Sequence, residues 1–431
     1  MKPLYGLYGL SASGLLTVTF PGLWLYAKLK GRHGEGLKER LGLFPPGPMA
    51  RIKGSPRIWM HAASLGEVKV ASAIQRALFD ALPDCALIIS TTTEHGRNLA
   101  RETFPRSTVI YAPIDVPFCV REGLSRVRPD IMVFLETEIW PAWITETHRR
   151  AVKIALVNGR ISPRSLNSYL KLRPFFREVL KKIDAFSMIR QEDADRILSM
   201  GAPRERLRIN GNAKYDLLTE QAEAGSEEKM RRTLGLRPSD QILVAGSTRD
   251  GEEDMILDAY MKIRENFPEL LLFLAPRHIQ RAPEIEALVR KRGLEYRLRS
   301  EMPGDGPNPN APVVIMDTFG ELFRLYSIAT ITFCGASLVP LGGQNPLEPA
   351  AWGKAPLYGP SMEDFLDAKE MLEAVGGGIE VSSAQDLTEK ALWFLNNPEE
   401  LKARGERARE AVMKNRRAAK RHAEVILELL S

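Results

Sequence analysis

Glu67 is the first side chain along the sequence that stands where catalysis could use it. It closes the segment HAASLGE (residues 61–67), which follows a short apolar run. Ser64 and Gly66 allow a tight turn from a strand into a helix, which places Glu67 in the first helical turn. There a carboxylate either caps free backbone amides or, when buried, acts as a general base. The sequence leaves both roles open.

Three further charged residues follow apolar runs in the first half of the chain. Glu136 and Glu138 come directly after the run at 131–135, which would be the ligand edge of a parallel sheet. Alternate residues of an extended chain point in opposite directions, so we expect one of these carboxylates to face the site and the other to anchor the loop. Lys214 follows a glycine turn in NGNAKYD (residues 210–216), where a lysine is able to neutralise a phosphate.

Asp193 and Asp195 superficially resemble a metal-binding acidic pair. Their setting, residues 191–199, reads as an amphipathic helix, so we interpret both as part of a solvated face. Cys85, Cys119 and Cys334 are the chain's three cysteines, and they form no CxxC motif and no Cys/His pairing at metal spacing. The sequence therefore predicts neither a metal site nor a bound cofactor, and its cysteine usage favours a reducing compartment.

Four turns in the second half carry the residue types of a nucleotide site. Glycine lets a helix amino terminus approach a phosphate, arginine supplies positive charge, and a glutamate is able to accept hydrogen bonds from ribose hydroxyls. The turns are GST (residues 246–248), PRH (276–278), FGE (319–321) and GGQNPLEP (342–349). No GxxxxGK[ST] segment occurs, and no GxGxxG follows the first strand of either half, which disfavours a P-loop nucleotidase and weakens a dinucleotide interpretation.

The elements that must position these residues alternate short apolar runs with amphipathic stretches. This alternation predicts a parallel sheet covered by helices, formed twice along the chain. The polar stretch at 221–226 predicts a linker, 303–312 a surface loop, and 399–430 one long helix that packs back across the first half. The predicted strands are residues 57–61, 86–90, 108–111, 131–135 and 153–157, then 241–245, 270–275, 313–316, 328–333 and 355–358.

Composition and charge narrow the class of protein. The chain has 431 residues, 44% of them hydrophobic and 26% charged, which excludes a peptide module or a largely disordered chain and allows two or three domains. Residues 28–57 contain eight Lys/Arg against two Glu, and residues 401–431 contain nine against four. Such patches are typical of a protein that meets anionic partners, either nucleic acid or acidic lipid, although each run alone is equally compatible with a solvated helix face.

The amino terminus favours lipid over nucleic acid. Residues 3–27 contain no charged side chain and are mostly apolar, long enough for a membrane anchor, although Gly6, Gly9, Gly14, Pro21 and Gly22 leave a kinked or interfacial segment possible. Lys28, Lys30 and Arg32 follow this segment, whereas only Lys2 precedes it. By the positive-inside rule we expect the rest of the chain on the cytoplasmic side of the cell's inner membrane, attached by a single span.

These motifs together resemble the 3-deoxy-D-manno-octulosonic acid (Kdo) transferase family. The resemblance runs in the family's order across nearly the whole chain, including the anchor. Two positions depart from it, since Gln344 and Arg249 stand where the family usually has histidine. The segments that carry the resemblance are residues 61–67, 90–93, 136–141, 158–162, 211–216, 246–253, 276–278, 317–321, 335–349 and 359–360.

The resemblance implies an α/β protein of two Rossmann-like domains facing across a cleft, a glycosyltransferase of the GT-B type. The expected organisation is a membrane anchor (1–30), an acceptor-binding domain (31–217), a CMP-Kdo-binding domain (228–398) and a basic carboxyl-terminal helix (399–431) that packs on the acceptor domain. The implied reaction is an inverting, metal-independent transfer of Kdo from CMP-Kdo to a lipid A precursor, lipid IVA, in lipopolysaccharide biosynthesis. Anionic lipid of the inner membrane is the further expected partner, and nucleic acid is not.

The resemblance also assigns roles to residues. Glu67 matches the family's general base, and Glu136 and Lys214 match residues that stabilise the transition state. The positions that match the CMP-contacting segments are Pro276, Arg277, Phe319, Gly320, Glu321, Asn345, Pro346, Leu347 and Glu348.

Two alternatives belong to other classes. A sugar-nucleotide epimerase of the same two-domain fold would not need the anchor. A membrane-attached scaffold that had lost catalysis would have little reason to keep a carboxylate at Glu67.

Overall fold

The computed structural model describes residues 5–14, 16–19, 34–222, 225–302, 311–414 and 416–431. The chain divides into two compact units, the first comprising Met1–Leu217 and Arg417–Ser431 and the second Leu218–Arg416. Each unit contains one seven-stranded sheet, and the paired strands of both sheets run parallel. The expected fold class of two parallel-sheet α/β domains is therefore confirmed.

The first sheet has the order β3-β2-β1-β4-β5-β6-β7. Its inner strands are continuous apolar runs because helices cover both faces of the sheet. The strands are β1 (Arg57–His61), β2 (Ala86–Thr91), β3 (Thr108–Tyr111), β4 (Ile131–Leu135), β5 (Lys153–Gly159), β6 (Ala185–Met188) and β7 (Leu207–Ile209).

Helices follow most strands of the first unit, and several begin at a residue that favours a helix start. Ser64 and Thr93 accept hydrogen bonds from amides of the first helical turn, and prolines stand at the first turn of others. Helical residues 5–14 and 16–19 are together called α1. The others are α2 (Gly34–Arg40), α3 (Pro46–Ala50), α4 (Leu65–Ala81), α5 (Glu94–Thr103), α6 (Pro117–Val127), α7 (Pro141–Arg149), α8 (Pro163–Lys171), α9 (Arg173–Leu180), α10 (Gln191–Met200) and α11 (Lys214–Gln221).

The second sheet has the order β10-β11-β9-β8-β12-β13-β14. Its strands are β8 (Ile242–Thr248), β9 (Leu271–Pro276), β10 (Tyr296–Leu298), β11 (Val313–Ile315), β12 (Ile331–Cys334), β13 (Pro356–Tyr358) and β14 (Ile379–Glu380). Its helices are α12 (Ser226–Thr233), α13 (Glu252–Arg264), α14 (Ala282–Lys291), α15 (Leu322–Leu325), α16 (Leu347–Ala351), α17 (Leu366–Ala374), α18 (Ala384–Asn396) and α19 (Pro398–Lys414), with α20 (Ala418–Leu430) returning to the first unit.

The prediction of one long helix over residues 399–430 is wrong. It is two helices, α19 and α20, separated near Arg417, whose φ of 67° lies in the left-handed region where a right-handed helix cannot continue. Helix α19 packs on α16 and α18 of the second unit, whereas α20 packs on α4 and β5 of the first. Only the last part of the segment therefore packs back on the first half.

The predicted linker and surface loop are described only in part. The unit boundary at Leu217/Leu218 falls inside α11, so the stretch that precedes residue 222 is helical rather than an open connection. Residues 223–224 and 303–310 lie outside the described residues.

Helix α1 is held against the first unit by two tyrosines. The Tyr5 hydroxyl donates a hydrogen bond to Glu146 Oε1 at 2.8 Å, and the Tyr8 hydroxyl donates one to Asp115 Oδ2 at 2.5 Å. Residues 1–4, 15 and 20–33 of the predicted anchor and its basic flank lie outside the described residues. Of the helices in the described ranges, none is long and apolar enough to cross a membrane.

Candidate active site

Glu67 caps the helix on which it lies. Its Oε2 accepts a hydrogen bond from the Ala63 amide at 2.7 Å, and its Oε1 accepts one from the Ser64 hydroxyl at 2.8 Å. The Ser64 Oγ in turn accepts from the Glu67 amide at 3.3 Å, which forms a variant of the capping box at the start of α4, with the carboxylate bound to the amide of Ala63 rather than that of the N-cap residue Ser64. The sequence left capping and catalysis open, and the structure shows that Glu67 makes the capping contacts.

The same carboxylate nevertheless has a raised pKa, which makes it a stronger base than the carboxylate of an exposed glutamate. Only 6% of Glu67 is exposed, and burial raises its pKa, as do the nearby Glu138 and, less strongly, Glu136. The two hydrogen bonds at the cap lower the pKa, and the outcome is a value of about 8. Burial and like charges are the usual means of raising the pKa of a catalytic carboxylate toward the working pH.

Lys214 and Glu136 meet beside this helix. Lys214 Nζ lies 2.6 Å from Glu136 Oε1, with 39% of the lysine side chain and 17% of the glutamate side chain exposed. A Cβ built on Gly66 would lie 3.8 Å from Lys214 Nζ, so the ammonium group stands next to the amino-terminal turn that carries Glu67. The structure thus brings Glu67, Glu136 and Lys214, all singled out in the sequence, to one edge of the first sheet.

Glu138 has a different environment from Glu136, but not through the alternation of an extended chain, because residues 136 and 137 form a turn. Its carboxylate accepts a hydrogen bond from the Trp140 indole, and Oε2 lies 3.5 Å from His61 Nε2. Glu136 contacts Lys214 instead, and its backbone is left-handed, with a φ of 53°. Two glutamates separated by one residue therefore serve two different groups, one the lysine and one the histidine.

His61 is a site residue whose role the sequence did not predict. It is 1% exposed and lies between aromatic rings, stacked on Trp143 with its centroid 5.5 Å away. Ser90 Oγ accepts from the Trp59 indole at 2.9 Å and lies 3.0 Å from His61 Nδ1. The signal in the sequence is that His61 ends a predicted strand. In the structure this strand, β1, pairs with β4, and Glu136 and Glu138 come directly after β4.

Asp193 corrects the interpretation of the acidic pair as a solvated face. It is 1% exposed, accepts a hydrogen bond from the Ile161 amide at 2.8 Å and lies 3.2 Å from Arg190 Nε and 3.4 Å from Arg196 Nη1. Asp195 is exposed, as expected. Asp193 is buried because it fixes the turn after β5. Across the described ranges, no three His, Cys, Asp or Glu side chains are grouped so as to hold a metal ion.

The nucleotide-site residues predicted in the second half follow neighbouring strands of the second sheet. Arg277 is exposed after β9, Phe319 is 83% exposed after β11, and Asn345 follows β12 and accepts from the Leu347 amide at 3.2 Å. These strands are parallel, so their carboxyl ends lie at one edge. The Glu321 carboxylate instead forms a salt bridge with Arg299 at 3.1 Å and accepts a hydrogen bond from the Thr318 hydroxyl. Glu348 lies in the first turn of α16.

Glu252, which follows the GST turn at the start of α13, organises this edge. It is fully buried, and its carboxylate accepts hydrogen bonds from the amides of Ala336 (2.5 Å), Ser337 (2.8 Å), Leu338 (2.9 Å) and Arg249 (3.0 Å). It thereby fixes the start of the loop that leads from β12 to Asn345. The signal was an acidic residue at the helix start after the GST turn.

Comparison with known proteins identifies the family. The family described as 3-deoxy-D-manno-octulosonic-acid transferase (kdotransferase) matches residues 35–217. A 3-deoxy-D-manno-octulosonic acid transferase of Haemophilus influenzae is 33% identical over 97% of this chain and 93% of its own length, and one of Bordetella pertussis is 30% identical over 94% of each. The chain belongs to the Kdo transferase family. It is accordingly a glycosyltransferase, and the resemblance drawn from its motifs is confirmed.

The structure as a whole is similar to a solved sugar-nucleotide enzyme. The UDP-GlcNAc 2-epimerase of Neisseria meningitidis matches 86% of this chain and all of its own, with a TM-score of 0.64 and 14% sequence identity. At that identity the likeness concerns the fold, which supports two domains of the GT-B type.

We expect the stability of this Kdo transferase to depend on pH through Glu67. Its pKa is about 8 when folded, against an ordinary value of 4.5, so the unfolded chain releases the proton first and stability falls as pH rises from about 4.5 to 8. Glu67→Gln keeps one of the two capping acceptor oxygens and does not titrate, so any loss of capping is the same at every pH. Relative to the wild type, the variant should gain about 2–4 kcal/mol of unfolding free energy between pH 5 and pH 8.5.

Urea unfolding of both proteins at the two pH values measures this difference. Glu94→Gln is the matched control, because Glu94 is an exposed acid in the first turn of α5 and should show no such gain. A Glu67→Gln effect of equal size at both pH values would contradict the raised pKa.

Proposed function

We propose that this protein transfers Kdo from CMP-Kdo to the lipid A precursor lipid IVA, with inversion at the anomeric carbon, in lipopolysaccharide biosynthesis. The observation that carries the proposal is the buried Glu67 carboxylate, with its pKa of about 8, beside the Lys214–Glu136 pair. A carboxylate of that pKa takes a proton from a hydroxyl group far more readily than an exposed glutamate does. Glu67 is the proposed general base.

In the proposed reaction the acceptor hydroxyl attacks the anomeric carbon of Kdo. Glu67 accepts the hydroxyl proton as the new C–O bond forms, and the bond between that carbon and the phosphate oxygen of CMP breaks. The electron pair of the broken bond leaves with CMP. Because the donor already carries a phosphate leaving group, the reaction needs a base but no strong acid. A single base on the face opposite the leaving group gives inversion in one displacement.

Lys214 and Glu136 are the proposed transition-state residues. The lysine ammonium offsets negative charge on the reacting sugar, including the carboxylate that Kdo itself carries. Glu136, at 2.6 Å from Nζ, holds the ammonium group in place. The partial exposure of the lysine side chain supports this role, because it leaves the ammonium group open to a ligand.

CMP is proposed to bind to the edge of the second sheet. Exposed Arg277 supplies positive charge for the phosphate, and exposed Phe319 offers an aromatic face. Glu348, in the first turn of α16, is the proposed acceptor for the ribose hydroxyls. The remaining proposed contacts are Pro276, Gly320, Glu321, Asn345, Pro346 and Leu347, of which Glu321 contributes by shaping its turn through Arg299.

The proposed location is the cytoplasmic face of the inner membrane, with the amino-terminal segment as the point of attachment. Helix α1 exposes 63% of Leu7, 74% of Leu10 and 80% of Val18, apolar side chains that favour a lipid environment. The basic residues within 28–57 are suited to anionic head groups. An anionic glycolipid acceptor gives both features a common purpose.

Glu67→Gln should abolish turnover while leaving CMP affinity nearly unchanged. Loss of a general base costs about 10²- to 10⁴-fold in rate, whereas the proposed CMP contacts are all in the second unit. The measurement is the mass of the product formed from CMP-Kdo and lipid IVA, together with calorimetric titration of CMP. The control Glu94→Gln should keep wild-type turnover. Wild-type turnover of Glu67→Gln would remove Glu67 from the reaction, and a wild type that forms no Kdo-containing product would refute the proposed function.

Glu348→Ala should weaken CMP binding by about 1.5–3 kcal/mol, the value of a charge-assisted hydrogen-bond pair. Calorimetric titration of CMP into the folded variant measures the dissociation constant. Glu284→Ala is the control, since Glu284 is an exposed acid in the first turn of the helix after β9. If Glu348 only caps its helix, its variant will melt earlier yet bind CMP with unchanged affinity.

A further inference from the structure

The segment that carries Lys214, residues 210–216, consists of an irregular stretch, 210–213, and the first residues of α11. It leads from β7 into α11, and Gly211 takes a left-handed φ of 88°. Within it the Lys214 amide donates to Asn212 Oδ1 at 3.1 Å, and the Ala213 amide donates to Asn158 Oδ1 at 2.9 Å. The position of the lysine therefore depends on what fixes this segment.

His422 of α20 binds the amino-terminal half of the segment. Its Nε2 lies 2.9 Å from the Gly211 carbonyl oxygen, and because a carbonyl only accepts, Nε2 carries the proton. Its Nδ1 is then the acceptor for the Ser187 hydroxyl at 2.6 Å. Ser187 Oγ also accepts from Asn210 Nδ2 at 2.5 Å. His422 is fully buried, and burial lowers its pKa to about 4, so the ring stays neutral at physiological pH and both bonds persist.

Helix α20 binds both ends of the segment. At one end Arg421 Nε donates to the Asn210 carbonyl oxygen at 2.8 Å. At the other end Asp216 Oδ2 accepts from the Ala419 amide at 2.6 Å, where a carboxylate also stabilises the positive end of the helix dipole. A Cβ on Gly211 would lie 3.3 Å from that of Ala418, so the helix packs directly on the backbone of this turn.

We propose that His422 and Asp216 are positioning residues that hold Lys214 against Glu136. The proposal rests on the proposed function, in which that ammonium group stabilises the transition state. The proposal also gives α20 a role. The chain leaves the first unit at Leu217/Leu218, directly after Asp216, and returns to it at Arg416/Arg417, only a few residues before the contacts made by α20. The residues just before the chain leaves the first unit and those just after it returns are therefore hydrogen-bonded to each other, within the first unit and close to Lys214.

The test compares two substitutions at His422. His422→Gln places an amide nitrogen near the position of Nε2 and keeps a donor for Gly211, whereas His422→Asn reaches only the Ser187 side. His422→Asn should lower kcat for Kdo transfer about ten- to hundredfold, because the displaced ammonium group no longer offsets the charge that develops on the reacting sugar. His422→Gln should recover most of that loss. In a Lys214→Gln background, His422→Asn should cause no further loss.

Ile426→Ala is the matched control, because Ile426 is a buried residue of α20 that packs in the core. It should lower the melting temperature without lowering kcat. Equal kcat values for Ile426→Ala and His422→Asn, or an additive loss in the Lys214→Gln background, would overturn the proposal. If His422→Asn does not fold, Asp216→Ala replaces it with the same expectations.

Hydrogen exchange separates this proposal from the proposed function. In His422→Asn, peptides that cover residues 210–216 should exchange faster, while peptides that cover β1 and α4 should not change. Unchanged exchange at 210–216 overturns the positioning role even if the wild type transfers Kdo. Faster exchange at 210–216 in the variant, together with no Kdo transfer by the wild type, would refute the proposed Kdo transfer but would support the structural contact of His422 with this segment.

Discussion

Placing the Glu67 carboxylate out of water beside two other carboxylates costs free energy, and the local structure of the first unit offsets that cost. The capping box supplies two hydrogen bonds and the positive end of α4, which favour the ionised form. Lys214 neutralises Glu136, and the Trp140 indole and His61 hold Glu138. The balance leaves Glu67 with a pKa of about 8 rather than that of an exposed side chain. Its basicity is therefore a property of the whole edge of the sheet.

Parallel strands make this arrangement possible because they end side by side. Glu67 follows β1 and Glu136 follows β4, and these two strands are paired neighbours. The left-handed backbone at Glu136 is an uncommon conformation for a non-glycine residue, and the side chain at this position contacts Lys214. Lys214 itself arrives from the far end of the sheet, after β7, and α20 completes its support. The basicity of one buried carboxylate thus depends on segments that are distant in the sequence.

Much of the fold was predictable because buried parallel strands are continuous apolar runs. The predicted strands 57–61, 108–111 and 131–135 match β1, β3 and β4 residue for residue. The strands that were missed, β6, β7, β10 and β14, are short, and β7 and β10 lie partly exposed toward the sheet margins, where apolar patterning is weak. The break between α19 and α20 was missed because both helices have helix-forming composition and differ only in the core on which they pack.

The candidate site was predictable in its residues but not in its connections. Glu67, Glu136 and Lys214 were recognisable by type and by position after apolar runs. Nothing in their spacing indicates that Lys214 pairs with Glu136 rather than Glu138, since that choice depends on tertiary packing. The burial of Asp193 and the contact of His422 with Gly211 likewise depend on tertiary packing, which periodicity does not encode.

The central claim is that burial and the neighbouring carboxylates raise the pKa of Glu67. Direct titration of the Glu67 carboxyl group tests this claim. The measurement is the carbon-13 chemical shift of the Glu67 carboxyl carbon against pH, assigned by its loss in Glu67→Gln. We predict an apparent pKa near 8 in the wild type and a lower one in Glu138→Gln, where the nearby negative charge is absent. A wild-type pKa close to that of an exposed glutamate, about 4.3, would contradict the account.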